Sequence, residues 1–140
     1  DNREKFLITI ETEIRKQKYY ANMGRMLDYY RENLKEFEAL IKQKCGDFLV
    51  VYGLGIIGKN FVDLMKQIGM KNIVAIDNNV KYSDDVKLYS LDKIGELKKV
   101  VQIEKCCVCV TVGKGYKQIR GKLLKQGFTE IYSLKEILTL

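Results

Sequence analysis

Three glycines, Gly53, Gly55 and Gly58, stand in a Gly-x-Gly-x-x-Gly spacing directly after the apolar run Phe48-Leu49-Val50-Val51-Tyr52. The chemistry that this spacing serves is the holding of a pyrophosphate. The first glycine lets the chain turn sharply, the second lets backbone approach phosphate oxygens, and the third lets the next helix pack tightly on the strand. Unpartnered N–H groups at that helix start, with the positive end of its dipole, attract the anion. The candidate contacts are therefore the whole turn: Gly53, Leu54, Gly55, Ile56, Ile57 and Gly58. A helical pattern follows (Phe61, Val62, Leu64, Met65, Ile68) and stops at Gly69, and a second apolar run, Ile73-Val74-Ala75-Ile76, ends on Asp77. Asp77 stands 19 residues beyond Gly58, at a strand tip where a carboxylate can accept from a ribose diol. Asn78 beside it is the next candidate. A carboxylate there repels a 2′-phosphate, and Asn78 and Asn79 follow rather than an arginine, so NAD is favoured over NADP.

A second glycine-bearing loop, Gly113-Lys114-Gly115-Tyr116, follows the apolar run Cys106–Val112. Both loops are expected on one crevice, with Lys114 able to neutralise a phosphate and Tyr116 able to stack on a ring. Groups for catalysis are scarce. The chain has no histidine, which removes the commonest general base and metal ligand. Tyr89 and Lys93 have the Tyr-x-x-x-Lys spacing of short-chain dehydrogenases, but they fall far too early in the chain for that role. Asp84-Asp85 reads as a solvated loop. The residues describe a binding site and leave the catalytic residues unknown.

The elements that must position these residues alternate regularly after Cys45-Gly46-Asp47. The pattern predicts strands over 48–52, 72–77, 106–112 and 128–132, with a short segment near 86–89. Helices are expected over 56–68, 91–98 and 116–126, and Ser133 with Glu136 forms a capping box for a last turn. Alternating strands and helices mean an α/β fold with a parallel sheet covered on both faces. Right-handed crossovers then give a doubly wound sheet of about five strands in order 3-2-1-4-5. Residues 1–46 differ, being charged and helical in pattern. Met23, Leu27, Tyr30, Leu34, Phe37 and Ile41 recur at steps of four and three, a narrow seam that predicts dimerisation or packing on the chain's own sheet. Leu7, Ile10 and Ile14 make a second stripe out of phase with the first, so the expectation is two helices broken near Tyr20–Gly24, or one bent helix. The organisation expected is a helical segment over 1–46, able to dimerise, and a nucleotide-binding domain over 47–140.

A chain of 140 residues with 46% hydrophobic content can bury roughly two-thirds of its unfolded surface in one domain. No apolar stretch approaches the ~20 residues of a membrane span, and no signal peptide opens the chain. The chain begins at Asp1 rather than Met, which fits a trimmed terminus or attachment to a larger protein. The net charge of +7 comes from lysines spread over every helix, without the dense basic stripe and interleaved aromatics of a nucleic-acid binder. Cys106, Cys107 and Cys109 lie in one apolar run and read as core strand, because period-two geometry puts Cys106 on the opposite face from the other two. Buried unpaired thiols fit a reducing, cytoplasmic compartment.

From Asp47 onward the chain resembles the small Rossmann-like domains of bacterial surface-polysaccharide biosynthesis, found on nucleotide-sugar dehydratases and on sugar O- or N-acyltransferases. The resemblance rests on Val50–Lys59, Ile76-Asp77-Asn78-Asn79, Leu88–Ile94 and Gly127–Tyr132. It is similar, less closely, to potassium-transport regulatory domains, which share the glycine turn and the terminal acid. The resemblance implies a nucleotide, NAD or a nucleotide-sugar such as a UDP-sugar as ligand, and several members have no known catalytic role. Three functional expectations follow. The first is a nucleotide-binding module of sugar-nucleotide metabolism, the second a fragment of an NAD-dependent oxidoreductase, and the third an interaction module dimerised by its N-terminal helices. A methyltransferase fits less well, because Gly58 comes one place too late for Gly-x-Gly-x-Gly.

Overall fold

Four-residue apolar runs form the three interior strands of the sheet, and their tips set the site. The computed structural model describes residues 1–139. The elements run α1 (Asn2–Arg31), α2 (Leu34–Cys45), β1 (Leu49–Tyr52), α3 (Ile56–Gln67), β2 (Ile73–Ile76), β3 (Lys87–Tyr89), α4 (Ile94–Lys98), β4 (Cys107–Val110), α5 (Tyr116–Gln126), β5 (Glu130–Ser133) and α6 (Leu134–Leu138). The strands form one all-parallel sheet in order β3-β2-β1-β4-β5, the doubly wound order that right-handed crossovers require. Ser133 and Glu136 form the expected capping box at the start of α6, with bonds of 3.1 Å in both directions.

Tyr52 is level with Ile76 on one side and Val110 on the other, so Gly53, Asp77 and Thr111 leave the sheet side by side. Backbone bonds continue the ladder past the strand ends: Gly53 N–H donates to Ile76 and Thr111 N–H to Tyr52, both at 2.9 Å. Each face of the sheet has its own core. Val50, Val74, Ile76, Val108 and Val110 pack against α4 and α5, and Cys106 lies with them. Leu49, Val51, Ala75, Cys107 and Cys109 point the other way, as period two dictates. Burial pushes the Cys106 and Cys109 thiols up from their ordinary value, which makes them poor nucleophiles.

Of the crossover helices, α4 and α5 lie on one face and only α3 on the other. The chain from β2 to β3 is a loop, so α3 needs help to cover its face. That help comes from α2, α6 and the second half of α1, which all contribute to the same core. Here the structure corrects the N-terminal reading. α1 runs unbroken through Gly24, and the chain bends instead at Glu32–Asn33, where the Asn33 side chain donates to Tyr29 O at 2.8 Å. Gly24 costs ~1 kcal/mol against alanine in a helix, but Met23 and Leu27 on either side are buried and hold it in place. The change of phase between the two stripes is a change of face along one helix. The seam from Met23 to Ile41 crosses the bend and packs on the chain's own sheet, the second of the two alternatives that its spacing allows. No helix among the described residues is long and apolar enough to cross a membrane.

Phe37 is the centre of this cover. It is fully buried, with its ring 5.5 Å from Tyr30 and 6.1 Å from Phe61, and Tyr30 donates to Leu138 O at 3.0 Å. The four helices of this face therefore meet at one aromatic group. Phe37→Ala is expected to cost about 3–5 kcal/mol of stability, read as a lower denaturant midpoint with one cooperative transition. A separate early transition for residues 1–46 would show that they fold apart from the sheet.

Candidate functional site

The turn after β1 contains three glycines that are glycine for three different reasons. Gly53 has φ +99°, and a Cβ there would lie 2.7 Å from Thr111 Oγ1. Gly58 has no such backbone need, but a Cβ there would overlap the Gly53 carbonyl, so it lets α3 sit directly on the turn. Gly55 answers to neither demand. Its φ of −76° is open to any residue, and nothing lies within 4 Å of where its Cβ would be. It faces open space at the N-terminus of α3.

That space is a crevice of about 570 Å³ at the carboxyl ends of β1 and β4. Its floor is Gly55–Gly58 with Thr111 and Val112, and its outer wall is one face of α1: Lys16, Tyr20, Gly24 and Asp28. The helix start within it is bare. α1 and α6 begin with full capping boxes, whereas α3 begins at Gly55 with no side-chain cap and no acid in its first turn. The first N–H groups of a helix have no partner inside it, so those of Ile56, Ile57 and Gly58 point toward the crevice as donors for an anion. Ile56 leaves its side chain 88% exposed beside them, and Ile57 turns its own into the core.

Asp77 braces the turn from the other side. Its Oδ2 accepts from Leu54 N–H at 2.7 Å, and its Oδ1 from Asn79 and Val80 N–H at 2.8 and 3.1 Å. Partial burial works against the charge, but these three backbone donors outweigh it and hold the carboxyl below its ordinary value. Leu54 is thereby fully committed, with its side chain in the core and its N–H on Asp77. A carboxylate has about four acceptor positions, so Asp77 keeps one free; it borders a depression with Val80, Leu88 and Lys93 rather than the crevice itself. Asn78 is also engaged: its Oδ1 accepts from Leu91 N–H at 2.8 Å, and it borders a separate open depression with Lys81 and Lys93.

Thr111 is the residue that sequence reasoning missed. It is buried, and its hydroxyl donates to Gly53 O at 2.7 Å in the gap between Gly53 and Gly58. Its own carbonyl accepts from Tyr19 Oη at 2.8 Å, which fixes α1 to the tip of β4. Burial, reinforced by Cys109 and Tyr20 nearby, raises the Tyr19 phenol far above its ordinary value, so it remains a neutral donor. The second glycine loop then has another purpose than expected. A Cβ on Gly113 would overlap the Tyr19 ring, so this glycine makes room for α1. Gly113, Lys114 and Gly115 are exposed and do not line the crevice. Gly115 takes φ +76° to start α5, and Tyr116 donates to Ile131 O at 3.3 Å. Tyr89 is buried in the opposite core. No family model, curated protein or solved structure matches this chain. What the fold itself defines is a parallel, doubly wound α/β domain of Rossmann-like type, with an N-terminal helix across the crevice at its switch point.

Asp77→Ala and Thr111→Val each strip partners from a polar group in the turn and are expected to lower stability by about 1–3 kcal/mol, measured by denaturant unfolding. Because the folded carboxyl of Asp77 titrates below its unfolded value, its contribution is complete above the ordinary carboxylate range and is lost as pH falls through the folded value. Asp77→Asn should flatten that acid limb of the stability curve; an unchanged limb would mean that the carboxylate does not brace the turn.

Proposed function

We propose that this chain is a nucleotide-binding module, holding the phosphates of NAD or of a nucleotide-sugar such as a UDP-sugar on the N–H groups of Ile56, Ile57 and Gly58. The observation that carries the reading is Gly55. Fold geometry accounts for Gly53 and Gly58; Gly55 has an ordinary φ and empty space in front of it, as Gly24, Gly95 and Gly121 have, but it stands at an uncapped helix start, where a phosphate can approach the backbone. Lys16 is the cation of the same crevice and supplies charge opposite a phosphate. Asp77 has one acceptor position left for a ribose hydroxyl, and its charge disfavours a 2′-phosphate. The resemblance of the sequence to domains of surface-polysaccharide biosynthesis supports a ligand from sugar-nucleotide metabolism, and the buried unpaired thiols support a cytoplasmic location.

The role proposed is binding rather than catalysis. The ionisable side chains of the crevice are Lys16, Tyr20 and Asp28, all on the surface of α1, and none is paired with a second group as a nucleophile or general base would be. A nicotinamide held here would supply hydride chemistry only with substrate groups from another domain or subunit.

The test is a titration of NAD, NADP, ADP-ribose and UDP-sugars followed by thermal shift and calorimetry. A ligand at 100 times its dissociation constant adds about 2.7 kcal/mol of stability. Gly55→Val should keep the fold, since the new side chain meets only open space, and should abolish that shift. Lys16→Ala should weaken binding and leave the unliganded melt unchanged. The reading fails if no nucleotide stabilises the protein, or if Gly55→Val binds as well as the native chain.

A further inference from the structure

The first half of α1 is a helix without a packing partner. Residues 2–14 are exposed almost throughout. At 1.5 Å per residue they project about 20 Å beyond the domain. Their composition argues against a helix that stands alone: Ile8, Thr9, Ile10, Thr12 and Ile14 are β-branched and lose side-chain freedom there. Large apolar side chains also stand in water, with Phe6 64%, Leu7 53% and Ile14 46% exposed.

These residues begin a longer row. Arg3, Leu7, Ile10, Ile14, Gln17, Ala21, Gly24 and Asp28 follow at alternating steps of four and three, the seam of a coiled coil. The row lies more than roughly a third of a turn round the helix from Met23, Leu27 and Tyr30, which face the core. It is bulky in its first half and small in its second. Ala21 is exposed, and nothing lies within 4 Å of a Cβ on Gly24. A row with knobs at one end and holes at the other is complementary to itself reversed.

We propose that two copies of this chain pair antiparallel through α1, with Leu7, Ile10 and Ile14 of each copy seated on Gly24, Ala21 and Gln17 of the other. Charge selects this register. It sets Arg3 against Asp28 of the second copy, Glu4 against Arg25 and Glu11 against Lys18, and two-fold symmetry makes each pair twice. Sliding the antiparallel pair by one heptad toward the helix starts brings Glu11 onto Glu11 and Glu13 onto Glu13. A parallel pair brings Arg3 onto Arg3 and Asp28 onto Asp28. Ala21, Gly24 and Asp28 also line the crevice, so pairing sets the helix start of one copy at the rim of the other copy's site. The surface is distinct from the Met23–Ile41 seam, which the domain itself covers.

Light scattering on the native chain without nucleotide, well above micromolar concentration, should give twice the 16.3 kDa chain mass. Ile10→Asp should raise the dimer dissociation constant by about tenfold or more while the sheet domain keeps its melting transition. Glu11→Lys and Lys18→Glu should each weaken the dimer, and the two together should restore it, which a merely structural effect would not do. Ile10→Cys with Ala21→Cys should cross-link two chains on mild oxidation, since the four native cysteines are buried and the two new ones are too far apart along one helix to bridge. A native chain that remains a monomer overturns the proposal, as does helicity gained only on anionic vesicles, which would assign the stripe to a lipid surface. Cross-linking through Ile14→Cys alone, with none through the 10/21 pair, overturns it in favour of a parallel pair. All of these measurements are made without nucleotide, so their outcome is separate from that of the nucleotide titration.

Discussion

A parallel sheet has to be buried on both faces, and most of this molecule follows from how that is met. β1 is at the centre of the sheet between β2 and β4, and only α3 of the crossover helices lies on the face formed by Leu49, Val51, Cys107 and Cys109. The remaining cover is brought from both ends of the chain, by α1 and α2 before the sheet and α6 after it. Phe37 joins α2 to this face, and Tyr30 ties α1 to α6 through Leu138 O. Covering the face in this way carries α1 past the tip of β4. The crevice at the switch point thereby acquires a wall that the sheet alone would not provide.

At that point the backbone is held by three small devices. Thr111 closes the gap between Gly53 and Gly58, Asp77 holds Leu54 N–H, and Tyr19 fastens α1 to Thr111 O. These contacts fix the shape of the glycine turn and leave the N–H groups of Ile56, Ile57 and Gly58 unpartnered at the helix start. Under the function proposed above, donors preorganised in this way would hold a phosphate without a further ordering cost. The same account explains why Leu54, Gly113, Lys114 and Gly115 stand apart from the crevice although their sequence context suggests phosphate contact: each is either in use within the fold or turned to solvent.

The sheet order was readable from sequence because it depends on local patterns: apolar runs, glycine stops and the Ser133–Glu136 box are each complete within a few residues. The glycine turn was readable for the same reason. What α1 does was not. Its two stripes are both regular, and nothing in their spacing distinguishes a helix break from one helix that changes its packed face. Thr111 was hidden because a threonine ending an apolar strand looks like any other β-branched residue until Gly53 and Gly58 come within reach of its hydroxyl. Gly113 misled for a related reason. A glycine signals close approach, but only the folded chain tells that a tyrosine ring from 94 residues upstream is what approaches.

The central claim is that the bare start of α3 receives phosphate. It is tested most directly by following backbone amide resonances while NAD or a UDP-sugar is added. The account predicts saturable shifts that are largest at Ile56, Ile57 and Gly58, with smaller ones at Asp77 and Lys16. Shifts confined to exposed lysines elsewhere, or no saturable shift at the three turn amides with any nucleotide, would contradict it.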